Sequence, residues 1–449
     1  MAASPQGLKS YPNDCTSACS MQSFFRCYAI SSAMKRYDSQ LIERGEARLR
    51  WAKERMPVLA EVRDRLKKSG ALRGVKIGMA LHTEAKTGVL ALTLKEAGAE
   101  ISLTSCNPLS TDDCVAAALG ERHDMEVYAK KGQTGQEYYR SLNKVIDIGP
   151  DYVIDDGADL IFLLHTKRKE KLPNVKGGNE ETTTGIIRLR AMAEEKALKF
   201  PVISVNDAMM KHLFDNRYGT GQSTFDGIMT STNLLIAGRS FVVAGYGWCG
   251  RGVAMRARGM GARVTVTEVD PVRAVEARLD GFDVAPMIEA VKNADFIVTT
   301  TGCKDVLRKE HFNLMHDKCV LSNSGHFDNE ISKKDLEALS VSKRVARENV
   351  MEYELKNGKK IYLLAEGRLV NLAAGQGHPV EIMDMSFALQ ALGVEYLAKN
   401  HKRLKPGVHS IPHDLDEWVA RVALRSMDVK IDSLTKEQQK YLSEWREGT

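Results

Sequence analysis

Between residues 70 and 330 short apolar runs alternate with longer stretches whose apolar side chains recur every three or four positions. The run VKIGMA at 75–80 reads as a buried strand, and the periodic stretch 87–97, closed by Gly98, reads as a helix. Further strands are expected at 100–104, 126–129, 152–154, 160–164 and 202–205. Upstream, Leu41, Gly45, Leu49, Ala52 and Met56 form a broken helical stripe stopped by Pro57, and a second helix follows to about residue 68. A second alternating unit starts near Gly238. Its strands fall at 240–244, 263–267, 283–284, 296–300 and 319–322, with a helix running from the glycine turn at 245–250 to Gly259 or Met260. Strands alternating with helices predict parallel sheets covered on both faces, an α/β fold of two doubly wound, Rossmann-like units.

Composition narrows the picture. A chain of 449 residues suits two or three domains, and 43% hydrophobic with 27% charged residues is an ordinary folded composition. The net charge of +6 arises from interleaved acids and bases, so nucleic acid is not expected as a partner. No run of 18 apolar residues occurs, so no membrane span is expected. Eight cysteines without a CxxC pair suggest reduced thiols and a cytoplasmic location, and no histidine near Cys15, Cys19 and Cys27 supports a metal site, so none is expected. Residues 1–36 are rich in Ser, Ala and Cys and carry Lys9, Arg26, Lys35 and Arg36 against Asp14. That composition resembles a transit segment; an untrimmed start with Met34 as the true first residue is the preferred reading, and a poorly ordered extension is expected either way.

Polar residues sit where such sheets bind ligands, at the carboxyl ends of strands: His82, Asn107, Asp155 and Asp156, Asn206 and Asp207. Each alone reads equally as a turn residue. The segment GYGWCG at 245–250 follows a strand and opens a helix, the context in which G-x-G-x-x-G binds a dinucleotide. Gly245 allows the tight turn, Gly247 lets a pyrophosphate approach the backbone, and Gly250 permits close helix–strand packing. Glu268, 23 residues after Gly245, ends the next strand. A carboxylate there accepts from ribose hydroxyls and repels a 2′-phosphate, so NAD is expected over NADP. Lys211 and Asp215 lie four apart and share a helical face, as a functional pair or a surface ion pair. Glu180 to Gly185 form a polar knot that also suits a helix N-terminus, and His326 follows a strand of the nucleotide unit.

With the segments VNDAMMKHLFDNRYGTGQS, VVAGYGWCGRG, TTTGCKDV, NSGHFDNEI and LLAEGRLVNLAAGQGHP, the chain resembles the S-adenosylhomocysteine hydrolases from about residue 56 to 441, most closely the archaeal and deep-branching bacterial form. The resemblance implies tightly bound NAD, used to oxidise the ribose 3′ hydroxyl of a nucleoside–homocysteine thioether. Loss of the 4′ proton then expels homocysteine, water adds, and the ketone is reduced back. It implies that Lys211 and Asp215 contact the 3′ oxygen, with Lys211 needing a lowered pKa, and that Glu181 holds the ribose hydroxyls. His82, Asp156 and His326 serve proton transfer in an order left open, and His378 contacts substrate. Thr182, Thr183, Thr184, Asn216, Trp248, Cys249, Cys303, Ser324, Gly325, His326 and Asn371 are implied cofactor contacts, together with the glycines and Glu268.

Two positions depart from the animal-type pattern. Glu84 and Lys86 stand where Thr and Glu read the purine; an ammonium donates only and suits the carbonyl of hypoxanthine, yet the same swap accompanies both adenosyl and inosyl substrates. Adenine is ranked first and hypoxanthine is kept as the alternative. Tyr441 keeps the residue that reaches a neighbouring subunit's NAD, but Glu437 replaces the accompanying Lys. Two α/β domains around a central cleft are expected: a substrate domain at 40–225 completed by 372–410, and an NAD domain at 226–371. A C-terminal helical piece at 415–449, with Thr435 as N-cap, would dock on a partner in a homo-oligomer, a dimer or a tetramer. A catalytically silent homologue and an ordinary NAD dehydrogenase are the competing classes.

Overall fold

A computed structural model describes residues 38–446, so the expectation for 1–36 lies outside the described residues. Among the described residues fifteen strands form two sheets. The first holds β1 (Lys76–Ala80), β2 (Glu100–Thr104), β3 (Glu126–Val127), β4 (Tyr152–Asp155), β5 (Gly177–Glu180), β6 (Pro201–Ser204) and, much later in the chain, β15 (Gly407–Ser410). Their spatial order is β3-β2-β1-β4-β5-β6-β15, all parallel, with the reversal between β1 and β4. The second holds β7 (Ser240–Ala244), β8 (Arg263–Thr267), β9 (Asp283–Val284), β10 (Phe296–Thr299), β11 (Cys319–Asn323), β12 (Ser340–Arg347), β13 (Val350–Leu355) and β14 (Lys360–Leu364). Here β9-β8-β7-β10-β11-β14 run parallel, reversing between β7 and β10, and β13 and β12 extend the edge antiparallel. This is the α/β, doubly wound pair of sheets expected from the alternation.

Register aligns the strand ends. Ala80 faces Asp155, Asp155 faces Glu180, and Glu180 faces Ser204, so residues 82, 156, 181 and 206 leave one sheet edge together. Likewise Ala244 lies between Thr267 and Thr299, which puts Gly245, Glu268 and Thr300 at one edge. Helices bury apolar faces against these sheets; Val58, Leu59, Val62 and Leu66 of Pro57–Ser69 pack into the core shared with the long helix Val380–Asn400. Among the described residues no helix is long and apolar enough to cross a membrane, and Cys106, Cys114, Cys249, Cys303 and Cys319 are free thiols.

One expected strand is a helix. Residues 160–164 lie within Asp159–Thr166. An apolar run of five, buried on nearly all sides, carries no period that separates strand from helix. Backbone amides decide it: the Ile161 N–H donates to Asp155, and those of Gly157 and Ala158 donate to Glu180, so the chain turns over the ends of β4 and β5. Strand β5, sequence GGNE, and the β12–β14 meander were not expected from the pattern.

Candidate functional site

The carboxyl edges of the two sheets face one cavity of about 1050 Å³. The site residues named above line it, except Asn107, Asp155, Glu180, Asp207, Gly250 and Tyr441. On one side, His82 follows β1 and Asp156 follows β4, with His82 Nε2 3.3 Å from Asp156 Oδ2. His326, from the turn after β11, brings Nδ1 to 3.6 Å from Asp156 Oδ1. That approach requires Gly157, whose Cβ would lie 2.1 Å from His326 Nε2. The other ring nitrogen of His82, Nδ1, lies 2.6 Å from Ser110 Oγ and 3.2 Å from Cys106 Sγ. His82, Asp156 and His326 offer ligand-type atoms within 4.8 Å of one another, a spacing a divalent ion also accepts.

Opposite lies a buried ionic network. The short helix Met209–Lys211 passes into a π-helix, His212–Gly219, a turn type concentrated at functional sites. Its wider turns leave Lys211 Nζ 3.3 Å from both Asp215 Oδ2 and Glu181 Oε1 while donating to Asn216 Oδ1 at 2.7 Å. All four side chains are buried, so the surface-pair reading of Lys211 and Asp215 does not hold. Asp215 pairs with His378 and accepts from Ser386 Oγ at 2.9 Å. Gln390 donates to Glu181 Oε2 at 2.5 Å, while Glu181 Oε1 accepts no hydrogen bond from the protein. Asp156 Oδ1 and Asn371 Oδ1 are equally open.

The third wall is the turn after β7. Gly245 has φ 96°, and Gly250 must lack a Cβ because one would meet the Gly245 carbonyl oxygen at 1.9 Å; it shapes the turn from behind. The helix Trp248–Gly259 starts at Gly247 with no side-chain cap, so its first amides are available to a phosphate. Thr182 caps the helix Thr183–Glu194 by accepting from the Gly185 N–H at 2.9 Å, and Thr183 and Thr184 open that helix at the cavity. The polar knot is thus a helix N-terminus that faces the cavity.

The S-adenosyl-L-homocysteine hydrolase family pattern matches residues 34–176, and the NAD-binding domain of that family matches 216–377. The chain is 62% identical over 412 residues to the S-inosyl-L-homocysteine hydrolase of Methanocaldococcus jannaschii, covering 92% of this chain and 99% of that protein. It is 55% identical to the adenosylhomocysteinase of Thermoplasma acidophilum, over 90% of this chain and 99% of that one, and 57% identical to that of Aquifex aeolicus, over 92% and 99%. The chain belongs to the S-adenosyl-L-homocysteine hydrolase family. As a member it is an enzyme, a hydrolase that carries NAD and takes a small-molecule substrate.

The hydrolase's nucleotide cradle fits that cofactor. Glu268 accepts from the backbone N–H groups of Tyr246, Val269 and Asp270, and a carboxylate has about four acceptor directions, so it keeps capacity toward the cavity it lines. Electrostatics set the rest of the site. Burial lowers His82 to about 4 against the partial support of Asp156, so its imidazole is neutral near pH 7. Burial raises Glu181 to about 8, although Lys211 opposes it. Burial likewise raises Asp155 to about 7 and, with Asp155 and Asp156 adding to it, Glu180 well above the carboxylate range. The expected lowering of Lys211 is reversed: burial works toward it, but Asp215 and Glu181 outweigh burial and raise the ammonium. Asp215 is held well below the usual range because Lys211 and His378 overcome its burial.

Glu84 caps the helix Ala85–Glu96 by accepting from Lys86 N and Thr87 N. Lys86 is buried, with Nζ 2.9 Å from Glu84 Oε2 and donating to the Gln376 carbonyl at 3.0 Å. Tyr441 is on the exposed helix Lys436–Ser443, outside the cavity. Reading the sequence missed Ser110, Cys106, Ser386 and Gln390. Ser386 and Gln390 carry a usable signal, two polar residues one turn apart in the otherwise apolar run Met385–Val394 of the long helix.

Proposed function

We propose that the chain hydrolyses S-adenosyl-L-homocysteine to adenosine and L-homocysteine, with the unit at 40–225 and 372–410 holding the substrate and 226–371 holding NAD. The observation that supports this most is the single cavity in which a charged Lys211–Asp215–Glu181 network and a His82–Asp156–His326 cluster face the glycine turn after β7. Bound NAD would supply a reversible hydride acceptor for the ribose 3′ carbon. Lys211, kept positive, donates to the 3′ oxygen and stabilises negative charge developing there. Glu181 Oε1, which accepts no hydrogen bond from the protein, accepts from a ribose hydroxyl. His82, neutral, takes up or returns a proton at the sugar's far side, with Asp156 orienting the ring and His326 closing the cluster. Thr182–Thr184, Asn216, Trp248, Cys249, Cys303, Ser324, Gly325 and Asn371 would line the cofactor.

A second reading, S-inosyl-L-homocysteine as substrate, is supported by the Lys86 ammonium lining the cavity and by the similarity to the inosyl hydrolase of M. jannaschii. Thiol release measured with both thioethers at equal concentration separates them. Preferential release from the adenosyl compound supports the first reading, preferential release from the inosyl compound the second. No release from either, in protein containing NAD, would leave a silent homologue. We place the enzyme in the cytoplasm as a homo-oligomer, a dimer or tetramer, with 415–449 in the subunit contact and Tyr441 reaching the neighbouring cofactor. Residues 425–446 are all exposed in the single chain, Leu442 and Trp445 among them.

A further inference from the structure

Glu180 touches neither the cavity nor any ion partner, yet its carboxyl group gathers four donors from two loops. Oε1 accepts from Gly157 N at 2.8 Å, Thr182 N at 2.9 Å and Thr182 Oγ1 at 3.2 Å, and Oε2 accepts from Ala158 N at 3.0 Å. Gly157 and Ala158 have φ of 96° and 63°. Two successive amides in such a turn point the same way and form a concave anion site, a nest. The acceptor oxygens are supplied from the neighbouring strand, β5. Alanine rarely adopts this backbone, so the turn persists only while something over-determines it. Ala158 is also the N-cap of Asp159–Thr166 and has no side-chain oxygen of its own. The room is made for this contact: a Cβ on Gly185 would lie 2.2 Å from the Glu180 carboxyl carbon.

The turn so held carries Asp156, and its Gly157 is what His326 packs against. The second loop carries Glu181. We propose that Glu180 is a positioning residue that clamps the two loops together and thereby sets Asp156 against His82 and His326, so that proton transfer depends on it although it meets no substrate atom. This rests on the proton-transfer reading of that cluster. Lys211 and Asp215 come from a different segment, anchored by Asp416 accepting from Met209 N and Met210 N, so of the Lys211 network only Glu181 shares the clamped loop.

The test is E180Q in the NAD-loaded enzyme. Glutamine keeps one acceptor oxygen but sets an amide N–H₂ against one of the loop amides. Thiol release should fall about tenfold to a hundredfold with KM little changed, while substrate-induced absorbance of reduced nicotinamide still develops and persists. A158G, which permits the turn without strain, should restore much of the loss when combined with E180Q. E180D, which keeps both oxygens but shortens the reach, should show the same split in smaller measure. Wild-type thiol release in E180Q, an equal fall of reduction and release, or no rescue by A158G would overturn the proposal. So would insolubility of both E180Q and E180D, which would assign Glu180 to folding alone. Absence of thiol release from the unmodified enzyme would instead defeat the functional reading beneath it.

Discussion

Lys211 is an ammonium surrounded by two carboxyl groups at 3.3 Å in a buried site, and this decides what it can do. Held above the lysine range, it is a donor and a charge, not a free amine base. K211M should cost turnover about two to four powers of ten while NAD content stays, measured by thiol release and cofactor extraction. It also leaves Glu181 without a cation and Asp215 with His378 and Ser386 alone, so burial then favours their protonated forms. The melting temperature should therefore fall further at about pH 8 than at about pH 6. His82 makes the converse prediction. Its imidazole, at about 4 when folded against 6.5 when free, binds its proton first in the unfolded chain. Acidification from about 6.5 to about 4 thus drains this group's contribution to stability, which is intact above that window. In a histidine-selective NMR titration His82 should stay neutral to about pH 5, and D156N, which removes the supporting carboxylate, should push it lower still. A midpoint near 6.5 would mean the ring is solvated.

Elements were legible in the sequence where their periods were. The strand at 100–104, the glycine turn and its helix, and the capped helix after Thr435 follow from alternation, from G-x-G-x-x-G and from capping chemistry. Strand β5 was hidden because GGNE has no apolar residue; its glycines are there so that Phe200 and Leu397 can pack against the backbone. The π-helix was hidden because nothing in HLFDNRYG marks a wide turn, although the identity of Lys211 and Asp215 was plain. Polar strand ends could be read as site residues only once several were seen to share an edge, which is a property of register. At the C-terminus, Met427, Ile431, Leu434, Leu442 and Trp445 stay exposed on a segment with no apolar core of its own. Truncation after Val429 should lower the oligomer order seen by light scattering and speed NAD loss on dilution; an unchanged mass would remove this element from the subunit contact.

At the scale of the whole molecule, the cavity proposed to hold the substrate exists only because two doubly wound sheets point their carboxyl edges at it, and Lys86 lines it. Its helix, Ala85–Glu96, belongs to the first unit. The Gln376 carbonyl that it binds belongs to the crossing segment, whose Gln376 N–H donates to Asp226 at 2.8 Å on the helix Thr220–Thr232. Glu84 and Gln376 use two of the three ammonium donors, leaving one for a ligand. That donor satisfies a 6-carbonyl and opposes a 6-amino group, so hypoxanthine gains directly, whereas adenine must turn to Glu84 or to a ring nitrogen. K86E reverses the sign of the group. If Lys86 reads the base, the adenosyl-to-inosyl ratio of kcat/KM should rise by about two powers of ten, because a buried polar group left unpaired rejects its former ligand strongly. If Lys86 serves only to tie the two units, K86E should lower kcat/KM for both thioethers alike, and the ratio should stay within about threefold. Equal losses would remove Lys86 from base recognition and leave the base to the direct comparison of the two thioethers.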